Sequence, residues 1–129
     1  MTKKIIFPCV RRKNTLDKDM IEGTLTNITA EMLKGVTTIR NYGFAYMKDL
    51  KTAVIPESVT TISSNAFSSN TSMESVTILA TTPPYLGAAN AFQGASSYPI
   101  YVPAESVDAY KAAQKWSSLA SRIFAIEED

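Results

Sequence analysis

The apolar positions of this chain follow two rhythms. From Val36 to Pro56 the sequence reads VTTIRNYGFAYMKDLKTAVIP, and from Val59 to Leu79 it reads VTTISSNAFSSNTSMESVTIL. The two segments coincide at an offset of 23 residues, with Val36 on Val59, Ile39 on Ile62, Phe44 on Phe67, Leu50 on Met73 and Ile55 on Ile78. The matches fall on large apolar side chains, as repeated burial requires. The β-branched stretches Val-Thr-Thr-Ile and Ser75-Val76-Thr77-Ile78 predict short strands. Between them, Asn-Ala-Phe followed by small polar residues predicts a helical turn that drops one phenylalanine inward. A unit of this kind cannot bury its apolar face alone, whereas stacked units share a continuous core. Phe44, Phe67 and Phe92 are therefore expected to form a column.

A third, looser copy follows. Asn90-Ala91-Phe92 repeats Asn65-Ala66-Phe67 at an interval of 25, and Ile100-Tyr101-Val102-Pro103 repeats the strand ending Val54-Ile55-Pro56. Ahead of the first copy, Thr24 to Ile28 alternates like the strand half of a unit. The second rhythm begins after Pro103, where Val107, Tyr110, Ala113 and Trp116 recur at helical intervals. Pro103 sets a first helical turn, with Glu105 near its positive end. Arg122 to Ile126 reads as a last strand. The end of a stack exposes core unless something covers it, so Val107, Tyr110 and Trp116 are expected to close it. Glu127, Glu128 and Asp129 read as a frayed acidic tail. The expected organisation is an N-terminal docking arm or partial repeat over residues 1–30, then repeats with a C-terminal cap over residues 31–129.

Composition removes most enzymatic readings. The chain has 129 residues and no histidine. That excludes Ser-His-Asp and Cys-His nucleophile systems, histidine-ligated zinc and histidine acid–base chemistry. One cysteine, Cys9, permits no intrachain disulfide and no cysteine cluster. Ser and Thr hydroxyls lack a base. Asp17 and Asp19 stand close together, but calcium needs more oxygen ligands in a shaped loop. No catalytic, cofactor-binding or metal-ligating residue is therefore assigned, and no cofactor is expected. With 13 basic and 12 acidic side chains, the charge gives no case for nucleic acid.

The pattern V-T-x-I-x-x-x-A-F-x-x-x-x-x-L-x-x-V-x-I-P resembles the BspA-type leucine-rich repeats of bacterial surface proteins and some phage proteins. The likeness is close from Val36 to Ile78 and looser from Pro84 to Ile126. That pattern usually carries cysteine three residues after the phenylalanine, where this chain has Met47 and Asn70. The resemblance implies a β-rich α/β solenoid, a short leucine-rich-repeat stack with a C-terminal helical cap. It also implies a non-enzymatic structural or binding role.

Two groups of residues are candidates for partner binding. Lys3, Lys4, Arg11, Arg12 and Lys13 hold five of the 13 basic residues and suit a docking arm for other virion or surface proteins. Tyr42 and Tyr46 flank Phe44 and are the preferred outward aromatic pair, fit for a host-surface protein or a glycan on the repeat face. A homo-oligomer is compatible with the sequence, and membrane insertion is not expected. The apolar run Ile5 to Val10 contains a proline and ends in three positive charges, so it reads as a short strand or docking segment and not as an export signal. The expected setting is therefore a phage virion component, a head or tail fibre, decoration or tail-associated protein assembled in the host cytoplasm. The alternative is a fragment of a bacterial cell-surface adhesin.

Overall fold

The computed structural model describes residues 4–5 and 21–22 as backbone, and residues 26–93 and 98–126 in full. Strands β1 (Lys4–Ile5) and β2 (Ile21–Glu22) pair antiparallel. The remaining strands are β3 (Asn27–Ile28), β4 (Thr38–Ile39), β5 (Thr52–Ile55), β6 (Thr61–Ile62), β7 (Ser75–Ile78), β8 (Tyr85–Leu86), β9 (Ile100–Val102) and β10 (Ile123–Ala125), with helix α1 (Val107–Ala112) between the last two. They form two parallel sheets. One has the order β10-β9-β7-β5-β3 and the other β4-β6-β8. This is a repeat α/β architecture with few helical segments.

The 23-residue offset is the register of β4 on β6 and of β5 on β7, while β6 meets β8 and β7 meets β9 at an offset of 24. Ile39 pairs with Ile62, and Thr38 with Thr61. Ala53 pairs with Val76 and Ile55 with Ile78. Strands β5 and β7 bury every second residue, which turns Ala53, Ile55, Val76 and Ile78 inward. The longer sheet continues past the clear repeats, since β3 pairs with β5 and Ile28 is buried in the same core.

The aromatic column forms as expected. Phe44 and Phe67 stack at 5.5 Å, and Phe67 and Phe92 at 5.7 Å. All three are fully buried. Truncating one of them to alanine would cost about 3–5 kcal/mol, through lost burial and the cavity left behind. The column does not end at Phe92. Trp116 lies 5.7 Å beyond it, tilted by 36°, and Tyr110 meets Trp116 edge-on at 5.1 Å.

Successive layers are joined by backbone hydrogen bonds of two senses. In the short sheet the later layer donates to the earlier: Thr60 N–H to Thr37 O at 2.9 Å and Ser63 N–H to Ile39 O at 3.0 Å. At the turns the earlier layer donates to the later: Phe44 N–H to Ala66 O at 2.8 Å and Phe67 N–H to Ala91 O at 2.7 Å. Gly87, which follows β8, donates to Ile62 O at 2.8 Å. A Cβ there would lie 2.6 Å from the Ser64 nitrogen, so only glycine allows this approach.

The closing segment corrects the expected cap in one respect. Tyr110 and Trp116 are buried and Val107 packs against the core. However, the helix does not run from Val107 through Trp116. A 3-10 turn over Ala104–Ser106 leads into α1, which stops at Ala112. Ala113 is extended, Lys115 has φ 69°, and Trp116 opens a second 3-10 segment, Trp116–Arg122. Tertiary contacts override the helical periodicity here: Trp116 takes its place on the column while Lys115 Nζ donates to Gly87 O at 2.7 Å. Strand β10 then pairs with β9, Ile123 against Ile100, as the last strand read from the sequence.

Candidate interaction surface

The turn between β4 and β5 carries Tyr42 and Tyr46 on either side of the buried Phe44. Its backbone is pinned by Gly43 N–H to Arg40 O at 2.8 Å, Tyr46 N–H to Ser68 O at 3.0 Å and Phe44 N–H to Ala66 O. A side chain reinforces it. Asn70 is buried, accepts the Met47 N–H on Oδ1 at 2.7 Å and donates from Nδ2 to Phe44 O at 2.8 Å. The residue at the position usually held by cysteine therefore ties two successive turns together.

Pinning forces both tyrosines into the left-handed region, with φ of 60° at each. A bulky L-residue is rare there, and the conformation costs about 1–2 kcal/mol per residue. The next turn repeats the geometry at the same offset, with φ of 60° at Asn65 and 61° at Ser69. Asparagine tolerates that conformation and small polar residues suit turns. The fold thus demands the backbone shape at these two places without demanding tyrosine.

Burial does not account for the tyrosines either. Tyr42 is 43% exposed and Tyr46 65%. Their rings are parallel to within 11°, with centroids 6.0 Å apart. The equivalent outward positions farther along are Asn65, Asn90 and Ser69, with Gln93 exposed beside them. Asn65 N–H donates to Asn90 Oδ1 at 3.1 Å, and Ser69 N–H to Gln93 O at 2.8 Å. An aromatic pair is thereby continued by neutral amide and hydroxyl side chains.

Of the basic candidates, Lys4 lies on β1, with its backbone opposite Glu22. Lys3, Arg11, Arg12 and Lys13 lie outside the described residues, as do Asp17 and Asp19. The sequence reading passed over Tyr85, which is 61% exposed, with Lys115 Nζ 5.6 Å from its ring centroid. Register identifies it, because Tyr85 pairs with Thr61 on the outward row of the short sheet. The connection Thr81 to Pro84 borders a recess of about 360 Å³ together with Glu57 and Thr60.

Among the described residues, no group of three or more His, Cys, Asp or Glu side chains could hold a metal ion. Among the same residues, no helix is long and apolar enough to cross a membrane. Two tyrosines depart from their ordinary titration. Burial pushes the Tyr98 phenol up to about 12, against the pull of the Arg122 guanidinium, which lies 4.6 Å from its ring centroid. Burial also raises Tyr110, whose hydroxyl donates to Ala80 O at 2.7 Å. Both groups belong to the core and its closure, and neither is placed for proton transfer to a ligand.

No curated protein matches the chain. The model of the BspA type leucine rich repeat region matches residues 10–113, in six copies. The register, the recurring turns and this match agree: the chain belongs to the BspA-type leucine-rich-repeat family, whose repeats generally serve as non-enzymatic modules for protein–protein interaction.

Proposed function

We propose that this protein is a non-enzymatic adhesion module, a short solenoid that binds its partner through the exposed edge of its turns. The observation that carries the reading is the tyrosine pair held outward on a backbone that does not require tyrosine. Exposed residues in strained conformations that add nothing to the core point to function. Tyrosine also supplies rigid contact area at low entropic cost.

A bacterial cell-surface setting is the one the family match favours, since BspA-type repeat proteins are typically surface-associated. The virion reading has only the sequence argument behind it and no support from the match. In either setting, the basic segment with Lys3, Lys4, Arg11, Arg12 and Lys13 is proposed as the arm that attaches the module to its assembly.

Beads coated with the purified chain test the adhesion reading. They should adhere saturably to epithelial cell layers, and soluble chain should compete. Adherence no greater than that of beads coated with the heat-unfolded chain would overturn it.

A further inference from the structure

We propose that the β10 end of the five-stranded sheet receives the N-terminal arm of a second copy of this chain, an inference that rests on the arm reading above and names what the arm attaches to. Three observations converge. First, the outward face of this sheet changes character from row to row. The row Asn27, Thr52 and Ser75 is polar. The next row carries Val54, Tyr101 and Phe124. One step farther along the same strands stand Leu79, Pro103 and Ile126. None of these six apolar residues is buried. Phe124 is 49% exposed and Leu79 38%, and the Tyr101 and Phe124 ring centroids lie 6.4 Å apart. A contiguous apolar patch of this kind marks a contact surface.

Second, β10 is an edge strand, and among the described residues no strand pairs with its far side. At the end of the short sheet, Tyr110 and Trp116 meet the carbonyls of Ala80 and Pro84. Strand β10 is less well covered. Ala125 pairs with the buried Val102 yet is itself exposed, as is Phe124 on the other face. An open edge is a template on which an extended segment adds as a further strand.

Third, the patch has an acidic border. Glu105 is exposed two residues after Pro103, and Glu127, Glu128 and Asp129 follow Ile126 in the sequence. Such a face suits an apolar segment with basic ends. The chain carries one, Ile5 to Val10 between Lys3-Lys4 and Arg11-Arg12-Lys13. Within a single chain Phe124 keeps its exposure, so the segment that covers it comes from another copy. The arm precedes β3, which stands at the opposite edge of the same sheet. Copies joined in this way run head to tail.

Sedimentation equilibrium of the full chain tests this, with reductant present to keep Cys9 from linking copies. The average mass should rise with concentration and pass that of a dimer, because an unclosed head-to-tail contact does not stop at two copies. Phe124→Asp disables the acceptor, and the triple variant Arg11→Glu, Arg12→Glu, Lys13→Glu disables the arm. Each variant alone should associate at least about tenfold more weakly than the parent. Mixed in equal amounts, the two should form a two-chain species, since each keeps the half that the other lost. Phe124→Ser serves in place of Phe124→Asp if circular dichroism shows the charged variant unfolded.

A parent chain that is monomeric at every concentration would overturn the proposal while leaving the arm for another partner. Association that survives the triple variant would overturn both this proposal and the arm reading, since the faces would then be pairing with each other. A mixture that associates no better than its components also refutes the head-to-tail contact. Beads coated with the Phe124→Asp chain keep the adhesion reading separate, because that variant leaves the turns untouched. Adherence without association in the parent refutes this proposal alone, and association without adherence refutes the adhesion module alone.

Discussion

Between β4 and β6, the carbonyls of Thr37 and Ile39 are met by backbone N–H groups of the next layer. Among the described residues no such strand follows β8. There the Trp116 indole donates to Pro84 O at 2.8 Å and Lys115 Nζ to Gly87 O at 2.7 Å. Tyr110 reaches Ala80 O, Ser106 Oγ reaches Thr81 O at 2.7 Å, and Arg122 reaches both Tyr98 O and Phe92 O. An interior layer thus satisfies its neighbour with peptide groups, which any sequence supplies. The closing layer pairs β10 with β9 in the same way but adds particular side chains over the end of the short sheet. Buried carbonyls need donors in either place, so interior sequence is free to vary where terminal sequence is not.

The sharpest challenge to this contrast is truncation of the last ring. Trp116→Ala should lose about 3–5 kcal/mol in urea melts, as much as Phe67→Ala. A loss below about 1 kcal/mol would mean that the closing segment is an appendage and not a layer.

Asn70 is a buried interior side chain that links two turns. Asn70→Ala strands the Met47 N–H and the Phe44 carbonyl, and should cost about 2–3 kcal/mol by the same measurement. Tyr110→Phe removes a single donor and leaves the Ala80 carbonyl unmet, so about 1–2 kcal/mol is expected. If Tyr110→Phe proves neutral, side-chain closure does not matter energetically at that carbonyl. A smaller change of opposite sign is expected at the exposed turn. Tyr42→Asn should stabilise the chain by about 0.5–1 kcal/mol, because asparagine accepts the left-handed backbone more readily.

The last comparison has no amplitude at neutral pH. Tyr98 stays protonated in the folded chain until about 12, whereas its ordinary value is 10.0. The unfolded chain therefore releases this proton first. The contribution of Tyr98 to stability should be level below pH 10 and fall as pH rises from 10 toward 12. Urea midpoints across that range should show the fall, and Tyr98→Phe should flatten part of it.

Much of the interior was legible because burial repeats. Ile39, Phe44 and Ile55 each announce a partner 23 residues on, and the strands pair as that offset dictates. The burial of Tyr110 and Trp116 was legible for the related reason that an open layer must be covered. The break after Ala112 was not, because Val107, Tyr110, Ala113 and Trp116 fit a continuous helix as well as they fit the observed path. Only the positions of Phe92 and Gly87 decide between the two, and these are set by the rest of the chain. At the candidate site, Tyr42 and Tyr46 could be picked out as outward rings. The left-handed backbone beneath them arises from hydrogen bonds to the following layer, such as Tyr46 N–H to Ser68 O, which no local pattern encodes.

The even spacing of the column has a consequence for how such a chain can lengthen over generations. Phe67 sees a ring at 5.5 Å on one side and at 5.7 Å on the other. A duplicated block of one repeat, inserted in tandem, would meet the same neighbours above and below. The closing tryptophan would simply ride outward on the new last layer. Each duplication would advance the exposed turns by one strand spacing, about 4.8 Å. The reach of the molecule is thus an inherited length that changes in whole steps, with its terminating side chains carried along unaltered.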